Sequence, residues 1–136
     1  MKEFDINFLD HVAIRVKDME VSAQWYEKVL CMTRCNLPEW KNFPLFMSCG
    51  KAGVAIFPAN TNDAVIDKLS KNTRIDHFAF NVTNENFEKA KKHYEKTGQR
   101  FEFQDHFYFH SIYTKDPDGH NVELTKIVVH EENFYK

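Results

Sequence analysis

The sequence predicts an α+β protein made of two tandem copies of one strand–helix–strands module. Three observations lead there. First, LDHVAIRVKD, beginning at Leu9, returns as IDHFAFNVTN, beginning at Ile75. Asp10 and Asp76, His11 and His77, Ala13 and Ala79, and Val16 and Val82 match at one offset of 66 residues (11 to 77), the mark of a repeated structural unit. Second, each copy runs into an amphipathic stretch with helical spacing. Third, short runs of strand character, divided by turn residues, follow each helix. The 136 residues suit one domain, or two small halves sharing a core.

Module 1 spans residues 8–58. In strand 9–16 the side chains alternate, so Val12, Ile14 and Val16 turn toward the helix while His11, Ala13 and Arg15 turn away. The helix is expected from Met19 to Leu30, with Asp18 as N-cap and Val21, Trp25 and Val29 on its apolar stripe. Strands at 43–49 and 52–58 flank Gly50. Residues 59–73 are a polar linker, with a short helix expected around Ala64–Leu69. Module 2 spans 74–128. Its first strand, 75–82, turns Phe78, Phe80 and Val82 toward the helix and His77, Ala79 and Asn81 away. The second helix runs from about Glu85 to Thr97, with Phe87, Ala90 and Tyr94 on its stripe and Gly98 as its stop. Strands follow at 100–104, 107–114 and 121–128, the last two separated by the turn Asp116-Pro117-Asp118-Gly119. Residues 129–136 form a charged tail with two aromatics.

Composition narrows the function. Apolar residues at 43% with 28% charged argue for a packed globule and against disorder. The 13 Phe point to an aromatic core or an aromatic-lined pocket. A net charge of −2 provides no field for nucleic acid. No apolar run approaches the ~18 residues of a membrane span, and MKEFDINFLDH carries acids where a signal peptide is apolar. A cytoplasmic protein is expected, and no membrane partner. Cys31, Cys35 and Cys49 lack a CxxC and read as reduced thiols. With four Gly, a nucleotide-cradling loop is not expected.

The strand faces carry the candidate chemistry. His11, His77 and Glu123 all lie on the less apolar faces of their strands. If those faces line a common concavity, they provide two imidazoles and one carboxylate. Such a facial triad suits one divalent Fe, Mn, Ni, Co or Zn ion and leaves positions for substrate oxygens. Tyr113, on the strand beside Glu123, is a candidate catalytic hydroxyl that hydrogen-bonds a substrate oxygen. Ser111 shares its face. Arg15 and Asn81, four residues after the two histidines, are candidates for an anionic substrate group. Phe107 and Phe109 share the parity of Tyr113 and are candidate pocket walls. By the same parity His106 and His110 fall on the opposite face, where an exterior or interface role is expected.

The strands beginning LDHVAI and IDHFAF, together with SIYTKDPDGHNVEL, resemble the vicinal oxygen chelate superfamily. That group includes glyoxalase I, extradiol dioxygenases, fosfomycin-resistance thiol transferases, methylmalonyl-CoA epimerase and bleomycin-binding proteins. The resemblance covers about residues 8–128. It implies paired βαβββ modules whose mixed sheets curl as a half-barrel around a metal. It also implies that His11, His77 and Glu123 are the metal ligands. A small-molecule substrate with adjacent oxygens and a homodimer are expected on the same ground. The reaction is an isomerisation, a thiol transfer or a dioxygenation. The other reading is a non-catalytic drug- or metabolite-binding module of the bleomycin-resistance type. Some positions depart from the subfamily patterns. The fourth ligand of glyoxalase I falls on Ala55 or Ile56, neither a donor. Fosfomycin transferases carry Thr where this chain has Ala13, and basic residues near the end where it has Lys126, Glu131 and Glu132.

Overall fold

A computed structural model describes residues 2–35, 37–41 and 45–135. The chain divides into two units, Met1–Asn62 and Asp63–Lys136, and both have the order strand, helix, three strands. None of its described helices is long and apolar enough to cross a membrane.

The first unit contains β1 (His11–Val16), α1 (Met19–Leu30), β2 (Thr33–Cys35), β3 (Leu45–Cys49) and β4 (Ala52–Pro58). The first two residues of the expected strand 43–49 lie outside the described residues. The sheet is open, in the order β1-β4-β3-β2, with β1 parallel to β4 and the other pairs antiparallel. α1 starts where the Asp18 carboxylate accepts the Val21 N–H at 3.0 Å. It stops at Cys31, which takes a left-handed conformation, φ 55°. The buried face of α1 is Ser22, Ala23, Tyr26 and Val29, so the expected stripe is corrected at one end: Val21 is 50% exposed. The large Tyr26 is fully buried, and Ile14, Val16, Met47, Val54 and Ile56 of the sheet are buried with it. Arg34 of β2 ties helix to sheet, reaching Glu20 at 2.9 Å and Glu27 at 2.7 Å. These two hydrogen-bonded carboxylates raise its pKa further still, and Arg34 in turn holds Glu20 below the usual carboxylate range.

The second unit contains β5 (Phe78–Asn81), α2 (Asn84–Thr97), β6 (Glu102–Asp105), β7 (Phe109–Lys115) and β8 (Asn121–Ile127). Its sheet order, β5-β8-β7-β6 with β5 parallel to β8, repeats the topology of the first unit strand for strand. Thr83 caps α2 by accepting the Asn86 N–H, and Gly98 ends it at φ 76°. Phe87 and Tyr94 are buried as expected, against Phe78, Ile112 and Val122. The turn between β7 and β8 is locked by the buried Asp116 carboxylate. It accepts the N–H groups of Asp118 and His120 at 3.0 and 2.9 Å and bonds the His120 ring at 2.8 Å.

Two local expectations are corrected. Residues 64–69 form no helix. Asp67, Ser70 and Asn72 instead bond nearby backbone N–H groups, which closes local turns in competition with a helix. Residues 107 and 108 belong to the turn between β6 and β7, so β7 starts at Phe109. Asp105 accepts the Phe107 N–H there, and Phe107 takes φ 72°.

Candidate metal and substrate site

In the second unit β5, β8 and β7 lie side by side, and their registers level Ala79 with Glu123 and Glu123 with Tyr113. Period-two alternation then puts His77, Glu123, Tyr113 and Ser111 on the sheet face opposite α2. Four of the expected site residues are thereby brought together. His77 Nε2 lies 3.0 Å from Glu123 Oε1. The Tyr113 ring stands edge-on to His77 with centroids 5.8 Å apart. Ser111, fully buried, donates to Glu123 Oε2 at 2.7 Å and shares a second hydrogen bond with the Thr125 hydroxyl at 2.9 Å. Ser111, expected as a substrate contact, has no exposed surface and holds the carboxylate. A cavity of about 990 Å³ opens on this face, lined among others by Asp76, His77, Glu102, Tyr113, Lys115 and Asn121.

The electrostatics of this cluster are specific. His77 Nδ1 lies 2.8 Å from Asp76 Oδ2 while Nε2 faces Glu123. The hydrogen bond with His77 holds the Asp76 carboxyl below its usual range; an ionised carboxylate only accepts, so with Asp76 charged His77 Nδ1 is the donor. A neutral imidazole has one N–H. With that proton at Asp76, Nε2 and Glu123 Oε1 are two electron-pair donors facing each other at 3.0 Å. They repel unless a proton or a metal cation lies between them. Ligand bonds of about 2.1 Å meeting at a right angle place two donors about 3.0 Å apart, so the pair suits adjacent positions of one octahedral cation. Tyr113 is pushed up to about 12, first by burial and then by the charge of Glu123 and a hydrogen bond to it. The phenol keeps its proton and is a donor.

In the first unit the face opposite α1 carries His11, Ala13 and Arg15 of β1, Gly53, Ala55 and Phe57 of β4, and Phe46 of β3. His11 Nδ1 lies 2.8 Å from Asp10 Oδ1, and the Phe46 ring stands edge-on to His11 at 5.9 Å. The register assigns Ala55, not Ile56, to the His11 face, since Ile56 is buried on the α1 side. Arg15 lies on the expected face and donates to the Pro58 carbonyl at 3.0 Å while covering the Phe57 ring. Neither unit by itself gathers three His, Cys, Asp or Glu side chains into a ligand set among the described residues.

The remaining expected residues separate. Asn81 is exposed at the end of β5. Phe107 sits at the hairpin tip, 77% exposed. Phe109 packs edge-on against Phe134 of the C-terminal segment at 4.7 Å. His106 reverses its expected facing: its Nε2 lies 2.8 Å from the Tyr113 hydroxyl. Counting parity back from Tyr113 fails there because the chain leaves the strand at residue 108. Lys126 belongs to the α2 side, bonded to Asn84 and set over the Phe87 ring at 4.9 Å. Asp10 and Asp76 were not singled out, although both are among the matching positions of the repeat.

This two-module α+β fold is shared widely, and the chain belongs to the Glyoxalase/Bleomycin resistance protein/Dioxygenase superfamily, whose family model matches residues 8–124. Among curated proteins, a glutathione transferase FosA of Serratia marcescens is 29% identical over 116 residues, covering 85% of this chain and 78% of that one. Among solved structures, a glyoxalase/dioxygenase from Nostoc punctiforme superposes with TM-score 0.77 at 17% identity, over 95% of this chain and 97% of that one. The fosfomycin resistance protein FosX of Mesorhizobium loti gives 0.65 at 23% identity, over 95% and 99%.

Proposed function

We propose that the chain is a metal-dependent enzyme of this superfamily that acts on a small substrate with two adjacent oxygens. His11, His77 and Glu123 are the proposed metal ligands. The observation that carries this is the 3.0 Å approach of His77 Nε2 to Glu123 Oε1 while Nδ1 is engaged by Asp76. When bound, the ion supplies Lewis acidity toward the adjacent oxygens of a substrate. The chain's own groups supply the rest. Ser111 keeps Glu123 in one orientation. Tyr113 remains protonated and presents a hydroxyl to a substrate oxygen at the cavity wall, with His106 fixing its direction. Lys71, Arg100 and Lys115 also line the cavity and suit an anionic substituent.

Thiol transfer is the first chemistry to test. It is the reaction named for the Serratia relative, and Ala55 leaves the His11 face without a further ligand. A homodimer is the proposed assembly and a cytoplasmic location the proposed setting. The test is metal content by plasma mass spectrometry on protein purified without chelator or affinity tag, beside His77→Ala. About one divalent ion per chain, lost in the variant, is expected if a single mononuclear site forms. Fe then directs assays to oxygen uptake with catechols, and Mn, Ni, Co or Zn to thiol addition and isomerisation. No metal in either protein after reconstitution would sink the enzyme reading and favour a binding module.

A further inference from the structure

The two units repeat more than a histidine. In each, an aspartate immediately before that histidine turns back and takes its Nδ1. The Asp10–His11 and Asp76–His77 distances are both 2.8 Å. Each aspartate is also anchored through its backbone. The Asp10 carbonyl accepts the Gly53 N–H of β4 at 3.1 Å. The Asp76 carbonyl accepts the Asn121 side-chain amide at 3.1 Å, and Lys115 steadies that amide at 2.6 Å. Gly53 is level with His11 in the sheet. Asn121 directly precedes Val122, the partner of Phe78, and so is level with His77. One tie is a main-chain N–H and the other a side-chain amide, yet both engage the backbone carbonyl of the corresponding aspartate.

We propose that Asp10 and Asp76 are positioning residues that fix the tautomer of the next histidine. A neutral histidine in water favours the Nε2–H form, which has its lone pair on the wrong nitrogen for a ligand on this face. A carboxylate at Nδ1 reverses the preference and leaves Nε2 as the electron-pair donor. In the second unit the fixed ring points Nε2 at Glu123. In the first, the Phe46 ring edge bounds the imidazole, and Asp10 selects which of its nitrogens is free. The role rests on the reading of His11 and His77 as metal ligands.

The test separates the two claims. Protein labelled with 15N histidine is freed of metal and examined by multiple-bond 15N–1H correlation at about pH 8.5, above the ordinary imidazole range. His11 and His77 should show the Nδ1–H form. Asp76→Ala should move His77 to the Nε2–H form and leave His11 unchanged. Asp76→Asn should keep Nδ1–H, because the amide oxygen still accepts. Asp10→Ala and Asp10→Asn should do the same at His11. Nε2–H at both histidines of the unsubstituted protein, or no change in either alanine variant, would overturn the proposal. If an alanine variant fails to fold, the unsubstituted spectrum and the asparagine variants still decide. A calorimetric titration with Mn²⁺ reads the second claim. Each alanine variant should bind about 10- to 100-fold more weakly, with recovery in the asparagine variant. If the unsubstituted protein binds no Mn²⁺, Zn²⁺, Ni²⁺, Co²⁺ or Fe²⁺ while both histidines are Nδ1–H, the metal reading falls and the tautomer assignment stands.

Discussion

Ser111 shows what a single hydroxyl does in this molecule. It is fully buried and is a hydrogen-bond partner of Glu123 Oε2 at 2.7 Å. Ser111→Ala removes the donor and leaves a buried carboxylate oxygen unmatched, at a cost of about 1–3 kcal/mol. Urea unfolding should report that loss, and Ser111→Thr should restore part of it. Tyr113 gives a second prediction. In the folded chain it ionises near 12, whereas an unfolded tyrosine ionises near 10. Between those values the folded state retains a proton that the unfolded state has released, so stability falls as pH rises through that window. The difference in absorbance near 295 nm between the metal-free protein and Tyr113→Phe should isolate a tyrosine that titrates well above the ordinary value near 10.

At the scale of elements, the pairing of β3 with β4 depends on Gly53. A Cβ there would stand 2.5 Å from the Met47 carbonyl oxygen and 2.5 Å from a ring carbon of Phe46. One obstacle is backbone and the other a ring already placed against His11, so neither yields without moving the strand. Gly53→Ala should therefore destabilise by about 1–3 kcal/mol, the usual range for overpacking, read as a lower thermal midpoint. It should also disturb His11 without touching it, visible in the His11 15N shifts. Arg34 plays the matching part for α1. Losing its two carboxylate contacts should lower stability only slightly, since all three side chains keep solvent access. Arg34→Met, which keeps much of the stem, isolates that electrostatic share in urea unfolding.

For the whole molecule, the proposed ion couples binding to folding. The native chain presents His77 and Glu123 at bonding separation, whereas an unfolded chain does not hold them together. An ion that binds only the folded form stabilises by RT ln(1 + [L]/Kd), about 2.7 kcal/mol at a hundred times Kd. Thermal melts should therefore rise with added metal and fall after EDTA treatment. His77→Ala should melt at one temperature under both conditions.

Much of this protein can be read from local chemistry. The repeat at 9–18 and 75–84 located two equivalent modules, and Asp18 and Gly98 marked helix ends that the structure retains. Alternation grouped Ser111 with Tyr113 and put His77 and Glu123 on the less apolar faces of their strands, because a regular strand reverses side-chain direction at every residue; the strand registers then joined them on one face. The errors fall where the backbone departs from that period. Phe107 and His106 were misplaced because an Asx contact and a left-handed residue end the strand, and no Gly or Pro announces it. The Val21–Trp25–Val29 spacing differs from the buried face of α1, which is Ser22, Ala23, Tyr26 and Val29. The sequence by itself therefore determined the repeat, the two main helices, the strands around His11, His77 and Glu123 and the residue types able to hold a metal, since those follow from periodicity and turn chemistry over a few residues, while the short β2 (Thr33–Cys35) escaped it. Only the tertiary structure decided that Ser111 serves Glu123, that His106 meets Tyr113, and that His77 lies between two carboxylates. Those contacts depend on register between distant strands and on hairpin geometry, which no local pattern encodes.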